Sequence, residues 1–264
     1  MTTPAEDRAA PLFDLFWENS TLGPATIGRF ADRMARSAGD VPAAPALQYP
    51  GADVELPRPR DALGGVMDAR SSERGFADRL LQRRELGAIF SAFARTRRGA
   101  RTFPSAGATY AVDVFALLNK VDGGLSGRAV YYNHDNHSLS DVAAVPEWPE
   151  YADAVNLECE GTPHVLVVFV AFPERTTAKY GERGGRFVLF EVGHAAQNLA
   201  LRLAACGLAG CEAGGLFDRR IKELLRLERT DARIALGYAC GLPRDARPRR
   251  LPHVRALVRR GART

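Results

Sequence analysis

The sequence predicts an α+β fold, a sheet with helices packed on it, and three observations carry that reading. HVLVVFVAF, from His164 to Phe172, is a short continuous apolar run, the pattern of a strand buried on both faces. AVYYNHDNHSLSDV reads as a hairpin folded about a polar turn. Between residues 187 and 206 the apolar positions recur at helical spacing. With 264 residues and 46% hydrophobic content, the chain has ample material for a core.

In chain order, FDLFWENS reads as a helix that stops around Thr21 to Pro24, and ATIGRFADRMARS as a second one. A Pro/Ala-rich extended stretch through YPGADVELPRPR follows, so residues 1–65 are expected to form an arm around a main domain spanning 66–264. A helix from Arg83 to about Arg95 turns Leu86, Ile89, Phe90 and Phe93 inward, and the strand VDVFALLNKV ends at an Asp122-Gly123 turn. After the hairpin, the segment Pro146 to Pro149 reads as a loop. The strand at 164–172 and the helix at 187–206 come next, then a short helix DRRIKELLRL and a last strand RIALGYACG.

No apolar run approaches the roughly 18–20 residues that span a bilayer, and MTTPAEDRAAPLFDLF lacks a basic start followed by an apolar core, so a cytoplasmic chain with no membrane role is expected. Cys159, Cys206, Cys211 and Cys240 follow no metal-ligand spacing and read as reduced structural thiols; no metal is expected. The net charge of +5 is unevenly placed: beyond Cys240, eight arginines stand against the single acid Asp245, so that end carries +7 and the rest −2. Such a tail suits an acidic peptide, a cofactor phosphate or plain solvation; without interleaved aromatic residues, stacking on nucleic acid has no support.

Four places invite chemistry. In RSSER, an extended backbone would point Arg70, Ser72 and Arg74 the same way, as a phosphate grip would, although a helix cap or surface ion pairs would explain the same residues. RTFPSAGATY, from Arg101 to Tyr110, sets a proline, a hydroxyl and a glycine before a strand, the composition of a tight turn and also of a ligand-facing one. On helix 187–206, Glu191, His194, Asn198 and Arg202 form one polar seam, while Val188, Leu189, Val192, Ala196, Leu199 and Leu203 cover the rest. A helix this apolar is expected to be buried, its polar groups bonded to protein, a second subunit or a ligand, and His194 reads as a core or interface histidine. Gly207 ends it, and Gly210, Gly214 and Gly215 then form a loop that a flat cofactor would suit. Lys179-Tyr180, just before it, is the last: lysines are only three of the 36 Lys and Arg residues, and burial can bring an ammonium, unlike a guanidinium, into proton-transfer range. His134 and His137 read as turn residues.

Taken together, RSSERGF, RTFPSAGATY and AKYGERGGRFVLFEVGHAAQNLALRLAACGLAGCEAGG, in that order, resemble the SagB-type dehydrogenases, the flavin-dependent branch of the nitroreductase superfamily that oxidises thiazoline and oxazoline rings in ribosomal peptides. The match runs from about Ala46 to Gly241. It implies a nitroreductase-like α+β fold, a central, mainly antiparallel sheet wrapped by helices, in an intertwined homodimer with FMN at the subunit interface. By position, Arg70, Ser72 and Arg74 would hold the FMN phosphate or ribityl groups, with Arg249 and Arg250 completing the phosphate site. Pro104, Ser105, Ala106 and Gly107 would approach the isoalloxazine, Gly214 and Gly215 would lie along it, and Gln197 and Asn198 are further candidate ligands. The resemblance makes Lys179-Tyr180 the catalytic pair, with Lys179 as base and reduced FMN reoxidised by oxygen. It also implies an azoline-containing precursor peptide as substrate and a cyclodehydratase that makes the azolines first. The competing expectations are a reductase fed by reduced nicotinamide, acting on nitro compounds or quinones, and a mainly structural FMN-binding subunit of a peptide-modifying complex.

Overall fold

A computed structural model describes residues 9–36, 55–59 and 61–245. Most of the expected extended stretch lies outside those residues, and so do Arg249 and Arg250.

The framework is one six-stranded sheet made of β1 (Val112–Leu118), β2 (Arg128–Asn133), β3 (Ser138–Ala144), β4 (Val165–Ala171), β5 (Ala209–Ala213) and β6 (Arg233–Gly241). Its order is β3-β2-β1-β4-β6-β5, and every neighbouring pair is antiparallel. β1 and β4 lie in the middle and are buried along their whole length, which is why their sequences are apolar without alternation. Side chains on a strand alternate in direction, so each central strand feeds two cores. Val165, Val167 and Phe169 join Leu86, Ile89, Phe90, Val192, Ala196 and Leu199 on one face. Leu166, Val168 and Val170 join Trp148, Tyr151, Ile221 and Leu224 on the other. Each fully buried Val, Leu or Phe contributes about 1.5–3 kcal/mol.

Seven helices cover the sheet among the described residues: α1 (Pro11–Ser20), α2 (Ile27–Arg36), α3 (Ala62–Ala69), α4 (Arg83–Phe90), α5 (Glu174–Tyr180), α6 (Glu182–Cys206) and α7 (Asp218–Leu224). α6 lies across the first core and ends where Gly207 turns left-handed, φ 70°. It begins at Glu182, five residues before the expected start. Two adjacent glycines argue against a helix there, at about 1 kcal/mol each relative to alanine, but both are buried in close packing that a side chain would prevent. α4 stops at Phe90 and tightens into a 3-10 turn through Phe93, so the expected helix to Arg95 is shorter, with its inward residues buried as expected.

Two elements depart from the sequence reading. α3, capped by the Asp61 carboxylate accepting Gly64 N–H at 2.7 Å, was not expected. The segment 209–213, read as a cofactor loop, is the edge strand β5 paired to β6. Gly210 is there to admit Leu203 and Tyr238, whose side chains occupy the space of its missing Cβ. All four cysteines are unpaired thiols. Among the described residues no helix is long and apolar enough to cross a membrane.

Candidate functional site

The segment RTFPSAGATY forms a strained turn at the entry to β1. Gly107, Ala108 and Tyr110 all have positive φ, at 59°, 54° and 47°. For the alanine and the tyrosine that conformation costs roughly 1–2 kcal/mol each, so surrounding bonds must hold it. Ser105 Oγ donates to Glu191 Oε2 at 2.5 Å and accepts Tyr110 N–H at 2.9 Å. The other Glu191 oxygen accepts Val112 N–H at 2.9 Å. Glu191 is 2% exposed; burial pushes its carboxyl up from the ordinary range, against the opposing pull of Ser105 and of the Val112 and Ala111 N–H groups. Glu191, one residue of the polar seam of α6, is thus a buttress for the turn. A second brace comes from Asp113, buried on β1, with Arg101 at 3.6 Å and Arg175 at 2.8 Å. Arg175 also donates to Tyr110 O at 3.1 Å, and Thr109 and Thr176 hydroxyls meet at 2.6 Å, tying the turn to α5.

That tie brings Lys179 and Tyr180 to the turn. Both stand at the end of α5, and a Cβ built on Gly107 would lie 2.8 Å from Lys179 Nζ and closer still to the Tyr180 hydroxyl. Tyr180 is set by edge-on contact with Phe187, ring centroids 5.1 Å apart, and Lys179 Nζ sits 5.2 Å from the Tyr180 ring centre. Residues about 70 apart in sequence therefore present a lysine nitrogen, a phenol and an open glycine backbone to one point. Lys179 is exposed, so this chain's own packing does not bury it; Arg183, on the next helix, lies over the Phe187 ring at 6.0 Å. Gly107→Ala is expected to cost about 1–2 kcal/mol through its φ and to push both side chains off the turn. Thermal unfolding would read the first effect, and a changed rate of Lys179 acylation, followed by peptide mass spectrometry, the second.

RSSER lies apart from this point. It leaves α3 at Arg70 and runs extended beside β5, with Glu73 N–H donating to Gly210 O at 2.9 Å. Ser71 Oγ bonds Glu73 at 3.0 Å, while Arg70, Ser72 and Arg74 are exposed and form no ion pair or side-chain hydrogen bond among the described residues. Asn198 is already engaged, its Nδ2 donating to Thr102 O at 3.0 Å and Ala92 O at 3.4 Å, so it supports the segment leading into the turn. Gln197 is exposed, and His194, expected in the core or an interface, is exposed too. Leu189 and Phe190 are 42% and 57% exposed, so α6 is not buried all round. Gly215 packs on Asn156, which donates to its carbonyl at 2.6 Å; Gly214 has open space where a Cβ would be.

The sequence profile of the Nitroreductase family matches residues 67–242. The chain belongs to the nitroreductase family. The candidate nitroreductase MJ1384 of Methanocaldococcus jannaschii is 35% identical over 182 residues, covering 67% of this chain and 90% of that one. Among solved structures, the E. coli microcin synthetase McbBCD complex with truncated pro-MccB17 bound contains a chain similar in fold, with TM-score 0.60 and 21% identity, covering 86% of this chain and 96% of that one. A candidate nitroreductase from Ralstonia eutropha matches with TM-score 0.58 and 23% identity over 75% of this chain and 89% of that one.

Nitroreductases of this family are flavin-dependent oxidoreductases, and the donor set here fits a flavin coenzyme. Two guanidiniums and a hydroxyl that form no ion pair or side-chain hydrogen bond among the described residues suit its phosphate, and the glycine turn offers backbone without a side chain in the way. The sequence reading of this nitroreductase missed the Arg101–Asp113–Arg175 brace. The signal was available: an aspartate inside the apolar strand VDVFALL must be paired if buried, and arginine is the usual partner.

Proposed function

We propose that this nitroreductase-family chain is an FMN-dependent dehydrogenase that oxidises thiazolines and oxazolines of a ribosomal precursor peptide to thiazoles and oxazoles. The observation that carries the reading is the convergence of Lys179 and Tyr180 on Gly107. A chain of similar fold within a synthetase complex that has a pro-peptide bound supports the peptide context. Aromatising an azoline removes a proton from one ring carbon and a hydride from its neighbour, and FMN, when bound, supplies the hydride acceptor. Lys179 Nζ takes the proton, and Tyr180 Oη, held by Phe187, orients the ring or relays that proton.

The remaining roles follow from placement. Arg70, Ser72 and Arg74 would bind the phosphate or ribityl chain, with Arg249 and Arg250 of the tail completing the charge. Pro104, Ser105, Ala106 and Gly107 would pack on the isoalloxazine, and Gly214 and Gly215 would lie along it. Gln197 would contribute from α6, and Asn198 mainly by holding Thr102. Exposed Leu189 and Phe190 on α6, with Phe16 of α1, suit contact with a second copy of the chain in a homodimer. The azolines themselves require a cyclodehydratase partner. The proposed division is an arm of residues 1–65 and a flavin domain of residues 66–264, with the boundary falling within α3.

The test is to purify the protein, record its visible spectrum, and incubate it in air with an azoline-containing peptide, following loss of two hydrogens per ring by mass spectrometry. A yellow protein giving that loss is expected. A yellow protein that leaves the azoline intact but consumes reduced nicotinamide with a nitroaromatic would make it a reductase instead, the activity named for its relatives. A colourless protein would remove the flavin reading.

A further inference from the structure

The motif GERGG, Gly181 to Gly185, follows Lys179-Tyr180 directly, and the reaction above gives it no task. Each of four residues in it has a structural one. Gly181 breaks α5 from α6 with φ 53°, ψ −143°, and its missing Cβ would stand 3.7 Å from Ala9 O. Glu182 reaches α1 with both oxygens: Oε1 accepts Leu12 N–H at 2.8 Å and Oε2 accepts Phe13 N–H at 2.9 Å. α1 has no side-chain cap of its own, its N-cap being Ala10, so this carboxylate satisfies N–H groups that the helix leaves open and meets the positive end of its dipole. Gly184 lies flush on α5, where a Cβ would be 2.8 Å from Thr177 Cα. At Gly185 the Phe13 ring occupies the place of a side chain. α1 is tied down elsewhere as well, by Arg233 to Asp14 of its first turn at 3.3 Å and, two residues past its C-terminal end, by Leu22 N–H donating to Asp218 Oδ2 at 3.2 Å.

We propose that GERGG is a socket for α1, and that α1, seated in it, is a clamp that positions Lys179 and Tyr180 against the Gly107 turn. Glu182, Gly185 and Phe13 are positioning residues acting through the α5–α6 junction. The inference rests on the reading of Lys179-Tyr180 as the catalytic pair only for its consequence on rate; the mechanical claim stands on the contacts alone. A helix that packed merely as core would leave the junction unaffected when loosened. A clamp would not.

The experiment uses the full chain with Glu182→Gln, Phe13→Ala and the milder Phe13→Leu, each read in two ways. Hydrogen–deuterium exchange over residues 174–187 is expected to rise about tenfold in Glu182→Gln and Phe13→Ala, with β4 unchanged as internal reference and Phe13→Leu close to wild type. On an azoline peptide, kcat is expected to fall about tenfold with KM and the flavin spectrum held, because misplacement by an ångström is felt in the chemical step. Unchanged exchange over 174–187 in both Glu182→Gln and Phe13→Ala would overturn the clamp, as would exchange that rises equally throughout the sheet. If Phe13→Ala does not fold, Glu182→Gln alone decides, and unchanged exchange over 174–187 in that variant overturns the clamp. A wild type inactive on azolines would sink the proposed reaction while the exchange data continue to judge the clamp.

Discussion

Lys179→Ala is expected to slow azoline oxidation by about 10²–10⁴-fold, the range that a positioned proton acceptor contributes. The side chain is exposed, so its removal should leave thermal stability within about 0.5 kcal/mol. Among the described residues, neither Arg70, Ser72 nor Arg74 bonds to it, so the flavin spectrum should also persist. Tyr180→Phe should fall between wild type and Lys179→Ala, because the ring and its contact with Phe187 remain while the hydroxyl is lost. Single-turnover peptide oxidation under air, with flavin content measured on the same samples, checks all three statements. Equal rates for wild type and Lys179→Ala would remove Lys179 as the base from the mechanism.

Glu191→Ala is expected to be the most damaging single change to the fold of the site. The carboxylate is 2% exposed and receives Ser105 Oγ and Val112 N–H; deleting it leaves those donors buried without an acceptor. Each such orphan costs about 1–3 kcal/mol, and the cavity adds to that. A loss of about 3–5 kcal/mol is expected, which for a chain of this size lowers the unfolding midpoint by roughly 10 °C or more. The strain at Ala108 and Tyr110 makes the damage local as well: without its buttress the turn relaxes, and flavin binding should weaken. Glu191→Gln keeps an acceptor in place and should lose much less. Calorimetry of the three proteins with an FMN titration reads both effects, and an unfolding midpoint for Glu191→Ala equal to wild type would refute the buttress.

The central sheet was legible because its two inner strands are apolar on both faces, and α6 because helical periodicity over about five turns is hard to mimic. β5 was not, since AGCEA is short, lacks β-branched residues and is a strand only by virtue of its pairing with β6. The early start of α6 was hidden by Gly184 and Gly185, whose cost is offset by packing that no local pattern reveals. At the site, the residue types of the turn and of the Lys-Tyr pair could be picked out, but their meeting could not. It depends on Thr109, Thr176 and the Arg175–Asp113 pair, contacts between residues about 60 apart. That His194 lies outside this chain's core was hidden for a related reason: helical spacing sorts faces but does not say which face the rest of the chain covers.

The capping of α1 by Glu182 has a consequence for the order in which the protein is made. α1 is completed by a carboxylate encoded 170 residues after it. At roughly 5–20 residues per second, α1 waits on the order of 10–30 s for its cap. During that time Phe13 and Trp17, both buried in the finished protein, have no α6 to cover them. α1 is therefore made long before it is secured, and a nascent chain stalled short of residue 182 would hold it out as an unsatisfied apolar surface, open to a chaperone or to another copy of itself.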